Sequence, residues 1–288
     1  MPDAACCPLC GACNYEVMFD LRAVAKALSV PGLVARCRRC PMWFKIITDP
    51  ARLDRAYGDD YATVDGADQY LAGEAARALF RTALSEIRVT NGAARRLLDI
   101  GAGQGVLLEE ARSIGYEAEG IDVCEALVRR AQARGLPVAC MRAEDLDARE
   151  RFDVITMTDV IEHVPAPRRL LASAYRALKP GGRLIVYTPN HRGAVVTLGT
   201  LLHRIGARFA VREIFGGNHV CFFDDRSLPL ALDREGFQVN AVRLFPYDPS
   251  RPGGAVSPVS LAVVTAVEWL GRPFNRMFRM LAFATKPA

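Results

Sequence analysis

Asp99-Ile100-Gly101-Ala102-Gly103-Gln104-Gly105 is the stretch whose reading decides the fold. A short apolar run, Arg96 to Ile100, leads into it, and residues 105 to 115 leave it with helical periodicity. Glycine has no Cβ, so a strand that turns into a helix through three glycines brings its backbone almost into contact with a ligand. A second short run, Ala118 to Asp122, follows and ends on an acidic side chain. A carboxylate at the end of that neighbouring strand can accept hydrogen bonds from both hydroxyls of a ribose, so the two features together predict a nucleotide-like ligand.

Outward from the turn, strand-like runs alternate with helical ones. Phe152 to Met157 and Arg183 to Thr188 read as further strands, and residues 124 to 134 and 167 to 178 as helices. Lys179-Pro180-Gly181-Gly182 predicts a helix stop and a turn, and residues 68 to 88 a helix laid on the sheet. This alternation predicts an α/β fold: a Rossmann-like, seven-stranded, mostly parallel sheet with flanking helices. Gly236 to Val242 and Arg279 to Lys286 are the expected final strand pair.

Two stretches interrupt the alternation. Residues 193 to 212 place Val195, Leu198, Leu202, Ile205 and Phe209 on one helical stripe, and residues 258 to 271 form a mostly apolar helix followed by Arg272, Arg276 and Arg279. Both read as lid-like insertions, at about 191–217 and 247–273, within a domain spanning 61–288.

The 288 residues carry 37 basic against 32 acidic side chains, a net +5 too modest to predict nucleic acid as the partner. The excess is local: residues 192 to 214 hold four Arg against one Glu. A basic, apolar lid suits an acidic or lipid-linked small molecule, and equally a peripheral membrane contact. The amino terminus lacks a secretion-signal pattern, and no apolar run reaches membrane-spanning length, so a cytoplasmic protein is expected. Oligomeric state is left open.

Cys7-Pro8-Leu9-Cys10 and Cys37-Arg38-Arg39-Cys40 are two C-x-x-C knuckles whose spacing lets four thiolates close a tetrahedral site. They predict a structural zinc within an amino-terminal ribbon and linker over residues 1–60. Cys6 and Cys13 stand as alternative ligands, whereas Cys124, Cys140 and Cys221 read as buried.

A dinucleotide fingerprint would place a glycine at 106, where this chain has Val106, and this favours S-adenosylmethionine over NAD. With Glu119-Gly120-Ile121-Asp122, Phe152-Asp153-Val154-Ile155, Ile161-Glu162-His163-Val164, Leu178-Lys179-Pro180-Gly181-Gly182 and Tyr187-Thr188-Pro189-Asn190, the glycine turn resembles the successive motifs of class I methyltransferases. The resemblance spans roughly residues 95 to 243. It implies that Gly101, Gly103 and Gly105 hold the methionine end of the cofactor, with Asp99 near its ammonium. It further implies that Asp122 holds the ribose, Val123 the adenine, and Ala143, Glu144 and Thr158 the rest of the pocket. Arg142 replaces an Asp that family members carry there. Methyltransferases of sugars, lipids and secondary metabolites resemble this chain in opening with a zinc ribbon and a link like Tyr57-Gly58-Asp59-Asp60-Tyr61.

Methyl transfer needs positioning and, for an oxygen or nitrogen acceptor, one base. Asp159 and His163 lie four apart, which predicts a shared helical face at the carboxyl edge of the sheet. His219, in Gly216-Gly217-Asn218-His219, resembles a loop that lies over the substrate. Asp159, Glu162 and His163 resemble the divalent-cation site of ubiquinone-biosynthesis O-methyltransferases, implying Mg2+ as a further cofactor. The expected activity is S-adenosylmethionine-dependent methylation, with O-methylation leading. A nicotinamide-dependent oxidoreductase and a non-catalytic cofactor-binding scaffold are the competing classes.

Overall fold

The computed structural model describes residues 5–23, 29–57, 74–86, 95–246 and 258–288. Strands β1 (Tyr15–Asp20), β2 (Gly32–Cys37) and β3 (Trp43–Ile47) form an antiparallel meander rich in the aromatic and branched residues that suit a pleated surface. Helices α1 (Pro50–Tyr57) and α2 (Glu74–Ser85) follow; residues 58–61 of the tyrosine-rich link, and residues 68–73 and 87–88 of the expected helix, lie outside the described residues.

The main sheet begins with β4 (Arg95–Ile100), α3 (Val106–Ser113), β5 (Tyr116–Asp122), α4 (Glu125–Ala133) and β6 (Val138–Cys140). It continues through β7 (Phe152–Thr158), α5 (Pro167–Ala177) and β8 (Leu178–Pro189). Helices α6 (Ala194–Arg204) and α7 (Arg208–Phe215) then lead through β9 (Cys221–Phe222) and α8 (Ser227–Arg234) to β10 (Gln238–Phe245), α9 (Pro258–Gly271) and β11 (Arg279–Thr285).

Seven strands lie in the order β10-β11-β8-β7-β4-β5-β6, parallel from β8 to β6 and antiparallel at the β10-β11-β8 edge. The predicted Rossmann-like sheet is therefore present. From β4 the chain winds to one side through β5 and β6, then returns to β7 on the other. That reversal opens a crevice above the carboxyl ends of β4 and β7, the place where open α/β sheets hold ligands.

The ribbon is welded to this frame. Strand β9 pairs with β3 through Trp43–Phe222 and Phe44–Cys221, making a four-stranded sheet of order β1-β2-β3-β9. Leu9, Met42 and Phe44 are buried in the same core as Phe152, Ile155 and Phe223. Each such side chain taken from water contributes roughly 1.5–3 kcal/mol, and Arg234 of α8 donates to the Leu9 carbonyl at 2.9 Å.

Several expectations are corrected. Lys179 to Gly182 runs within β8, because the Gly181 amide donates to the Lys286 carbonyl (2.8 Å) and the Lys286 amide to Gly182 (2.9 Å). The apolar stripe of residues 193 to 212 is not one buried face. Gly206 breaks the helix at a φ of 95°, burying Val196 and Val211 while leaving Ile205 and Phe209 exposed. Cys6 and Cys13 form a disulfide with each other, so neither replaces a knuckle cysteine, and Cys140 is exposed.

Candidate active site

The glycine turn leaves β4 with Gly101, Gly103 and Gly105 all at positive φ, a backbone that disfavours side chains. A Cβ on Gly101 would lie 2.2 Å from Val160 Cγ2, so the turn and the segment after β7 are in direct contact. Asp122 fixes the loop from the next strand: its carboxylate accepts from the Gly103 amide (2.7 Å) and the Cys124 amide (2.8 Å). Beside it Val123 is 46% exposed, an apolar surface open to a flat ring.

Asp99 is buried at the end of β4 and accepts from the Thr156 hydroxyl at 2.7 Å. Burial first, and then the nearby Asp122 charge, raise its carboxyl to about 7. Two carboxylates held against their own charge beside a glycine cradle make a seat for a cation. Ala143 and Glu144 lie in a short 3-10 turn tied to Asp122 through the Met141 amide on the Asp122 carbonyl, 3.0 Å away. The exposed Arg142 side chain extends instead to Asp54, at 3.3 Å. Thr158 is buried at the end of β7.

Asp159 and His163 do not share a helical face. Asp159 adopts a left-handed φ of 51°, and only Ile161–His163 forms a 3-10 turn. Arg279 of β11 grips the Asp159 carboxylate at 2.5 and 3.1 Å, in a pair that is almost fully buried. The side chains that meet are Glu162, His163 and His219, whose ligand atoms lie within 4.8 Å of one another. The rings of His163 and His219 stand 4.7 Å apart, and His191 lies 6.1 Å beyond His219.

Glu162 is fully buried; its Oε2 accepts from Thr188 at 2.8 Å, while Oε1 has no hydrogen-bond partner among the described residues. Burial, followed by the Asp159 charge, pushes its carboxyl well above the usual range. Desolvation lowers His163 and His191 to about 4 and holds His219 well below the usual imidazole range. Neutral imidazoles and an orphaned buried carboxylate oxygen fit a divalent cation, whose charge would offset the burial of Glu162. Two nitrogens and one oxygen suit zinc, iron or manganese better than Mg2+, which prefers all-oxygen octahedra.

The ribbon reaches this cluster. Lys45 of β3 is buried, donates to the Gly217 carbonyl at 2.8 Å, and is lowered to about 7 by desolvation. The Lys45 amide donates to Val220, and the Val220 amide to Glu162, both at 2.8 Å. Thus the ribbon and the 3-10 turn hold the His219 loop between them. At the other end of the ribbon, Cys7, Cys10, Cys37 and Cys40 bring their sulfurs within 4.8 Å. The Cys7–Cys40 and Cys10–Cys37 separations are both 3.5 Å, close to the roughly 3.8 Å edge that four Zn–S bonds of ~2.3 Å impose.

Of the residues singled out in the sequence, the structure unites His163 with His219, and Gly103 with Asp122. Asp159 lies beside the cluster, near enough for its charge to act on Glu162 and His163, but its carboxylate is paired with Arg279. Sequence reading missed His191 and Lys45, and it named Thr188 and Arg279 without giving either a place in the site. His191 directly follows the Tyr187 to Asn190 motif, so its position after a sheet strand was the available signal. Lys45 carried none, as a single basic residue within a ribbon strand.

The methyltransferase-domain family matches residues 69–242, more than half of the chain. A ubiquinone biosynthesis O-methyltransferase of Xanthomonas oryzae pv. oryzae is 32% identical over 151 residues, 48% of this chain and 62% of that protein. The chain therefore spans about three fifths of the length of that curated relative. Among solved structures, a chain of the complex between the Haloferax volcanii Trm112 methyltransferase activator and a methyltransferase aligns with a TM-score of 0.58. It is 18% identical, covering 80% of this chain and 97% of its own. An S-adenosylmethionine-dependent methyltransferase of Archaeoglobus fulgidus aligns at 0.53, with 20% identity over 76% and 97% of the two chains. With the glycine turn, the carboxylate after β5 and the seven-stranded sheet in place, this chain belongs to the methyltransferase-domain family and has the class I methyltransferase fold.

Proposed function

We propose that this enzyme methylates an oxygen of a small-molecule, sugar- or lipid-linked acceptor, with Glu162, His163 and His219 forming the acceptor side of the site. The observation that carries this reading is the buried Glu162 Oε1, without a hydrogen-bond partner among the described residues, beside two neutral imidazoles and joined to the glycine turn by the Val160–Gly101 contact. A sulfonium cofactor supplies an electrophilic methyl that leaves by in-line displacement. Gly101, Gly103 and Gly105 admit its methionine end, Asp99 faces its ammonium, Asp122 holds its ribose, and Val123, Ala143, Glu144 and Thr158 complete the pocket. A divalent cation on the Glu162 cluster would lower the pKa of an acceptor hydroxyl. His163 and His219, neutral through burial, serve better as ligands than as bases at neutral pH. Turnover with hydroxylated acceptors, against amine and carbon-acid controls, tests oxygen methylation; no transfer to any acceptor would favour a non-catalytic cofactor binder.

The ribbon cysteines hold a structural zinc in this reading, supported by the closed four-sulfur cluster. A peripheral membrane contact has its own support. Ile205 (77%), Phe209 (68%), Trp269 (67%) and Phe274 (74%) are exposed along the two insertions, with Arg204, Arg208 and Arg272 among them. Among the described residues no helix is long and apolar enough to cross a membrane. Flotation with anionic liposomes checks this contact, and a protein left at the bottom of the gradient would argue against it.

A further inference from the structure

Between the ribbon and α6 lies a groove of about 960 Å³ that the methyl-transfer site does not account for. One wall is the end of β2 and the second knuckle, the other is α6, and His191, Trp43 and Phe222 are also in its lining. Six arginines line it against two carboxylates, Glu16 and Asp224. Three of the six are committed: Arg38 to Glu16 at 3.8 Å, Arg226 to Asp224 at 3.4 Å, and Arg192 to Asp225 at 2.7 Å. Arg36, Arg39 and Arg204 form no ion pair among the described residues, although they come from the ribbon on one side and α6 on the other. Like charges on opposite walls repel, so an anion placed between them would be held favourably.

The groove is also partly apolar. Val196 and Leu201 lie on the α6 wall, and Leu201 is 55% exposed. From the groove, His191 leads to His219 and then His163, at ring separations of 6.1 and 4.7 Å.

We propose that this groove binds a phosphate or diphosphate group of the acceptor, with Arg36, Arg39 and Arg204 as its recognition residues and the α6 wall receiving an attached apolar chain. Guanidinium forks match phosphate oxygens two at a time, and three forks suit a multiply charged group better than a single carboxylate. This rests on the methyltransferase reading for calling the ligand an acceptor; binding of the anion itself does not.

Trp43 lines the groove, and the chain has one other tryptophan, Trp269. In a Trp269→Phe background, Trp43 fluorescence of the full-length protein is titrated with inorganic phosphate, with pyrophosphate, with decyl phosphate below its micelle concentration, and with decanoate. Pyrophosphate and decyl phosphate are expected to bind and decanoate to bind more weakly. Losing two charge-assisted contacts, an Arg39→Ala/Arg204→Ala variant should bind both phosphates at least about tenfold more weakly. The surface control Arg129→Ala should change nothing. Decyl phosphate binding more tightly than inorganic phosphate would assign the ligand to a phosphorylated amphiphile, and equal binding to a free phosphate compound. Unchanged affinity in the double variant, with S-adenosylmethionine binding retained as proof of folding, overturns the site. So does an absence of phosphate binding by the parent protein. Phosphate binding without any S-adenosylmethionine binding would instead count against the methyltransferase reading and leave the groove standing.

Discussion

Arg279 holds Asp159 by two hydrogen bonds, 2.5 and 3.1 Å long, across 120 residues of sequence. The pair ties the last strand, β11, to the segment after β7, where Asp159 has a left-handed φ of 51°. Removing one partner leaves an uncompensated buried charge. Arg279→Met should therefore destabilise the protein by about 3–5 kcal/mol, measured by denaturant unfolding. Asp159→Asn leaves the Arg279 guanidinium, which stays charged, buried without its carboxylate, and should cost a comparable amount; unchanged stability in that variant would mean that Asp159 serves mainly a ligand.

A different pattern is expected at the histidine cluster. Glu162→Gln and His219→Ala should abolish binding of Zn2+ or Mn2+ to protein whose ribbon cysteines are already loaded, read by calorimetry. S-adenosylmethionine affinity should stay within about twofold, since neither residue belongs to the glycine turn. His163→Ala should lower turnover by at least tenfold with the same retained cofactor affinity. Retained cation binding in Glu162→Gln would remove the cluster as a cation site.

Cofactor binding should depend on pH through Asp99. Its carboxyl is raised to about 7, so below that pH it is protonated in the free protein. A cationic ligand favours the carboxylate, so affinity for S-adenosylmethionine should rise with pH up to about 7 and then level off. The slope below 7 is at most about tenfold per pH unit, with protons released on binding. Asp99→Asn should flatten the profile. An affinity that falls as pH rises from 5 to 7 would contradict the placement of Asp99.

The ribbon's zinc should matter to catalysis at a distance. Elemental analysis should find about one zinc per chain on the four-thiolate site. Cys40→Ser should lower turnover more than cofactor affinity, because β3 carries Lys45 to Gly217 and pairs with β9 beside His219. Equal turnover in the variant would make the ribbon an independent appendage.

What was legible in the sequence was local. The glycine turn, Asp122 and the βαβ alternation each express their meaning within about twenty residues, through backbone conformation and periodicity. Long-range pairing left no such trace. Nothing near Asp159 announces that Arg279 will claim it, so its four-residue spacing from His163 read as a helical face. The two-residue strand β9 is too short to carry a pattern, which hid the continuity of the ribbon with the His219 loop. The stripe from Val195 to Phe209 misled for a physical reason: Gly206 breaks the helix, and the phase of the apolar positions does not survive the break.

The claim on which the rest depends is that the turn from Gly101 to Gly105, with Asp122, holds S-adenosylmethionine. Calorimetric titration of the parent protein and of Asp122→Ala with S-adenosylmethionine tests it most directly, with NAD titrated in parallel. Saturable binding by the parent is expected, weakened at least tenfold in Asp122→Ala through the loss of charge-assisted hydrogen bonds, with no binding of NAD. Equal affinity in Asp122→Ala, or binding of NAD in place of S-adenosylmethionine, would contradict it.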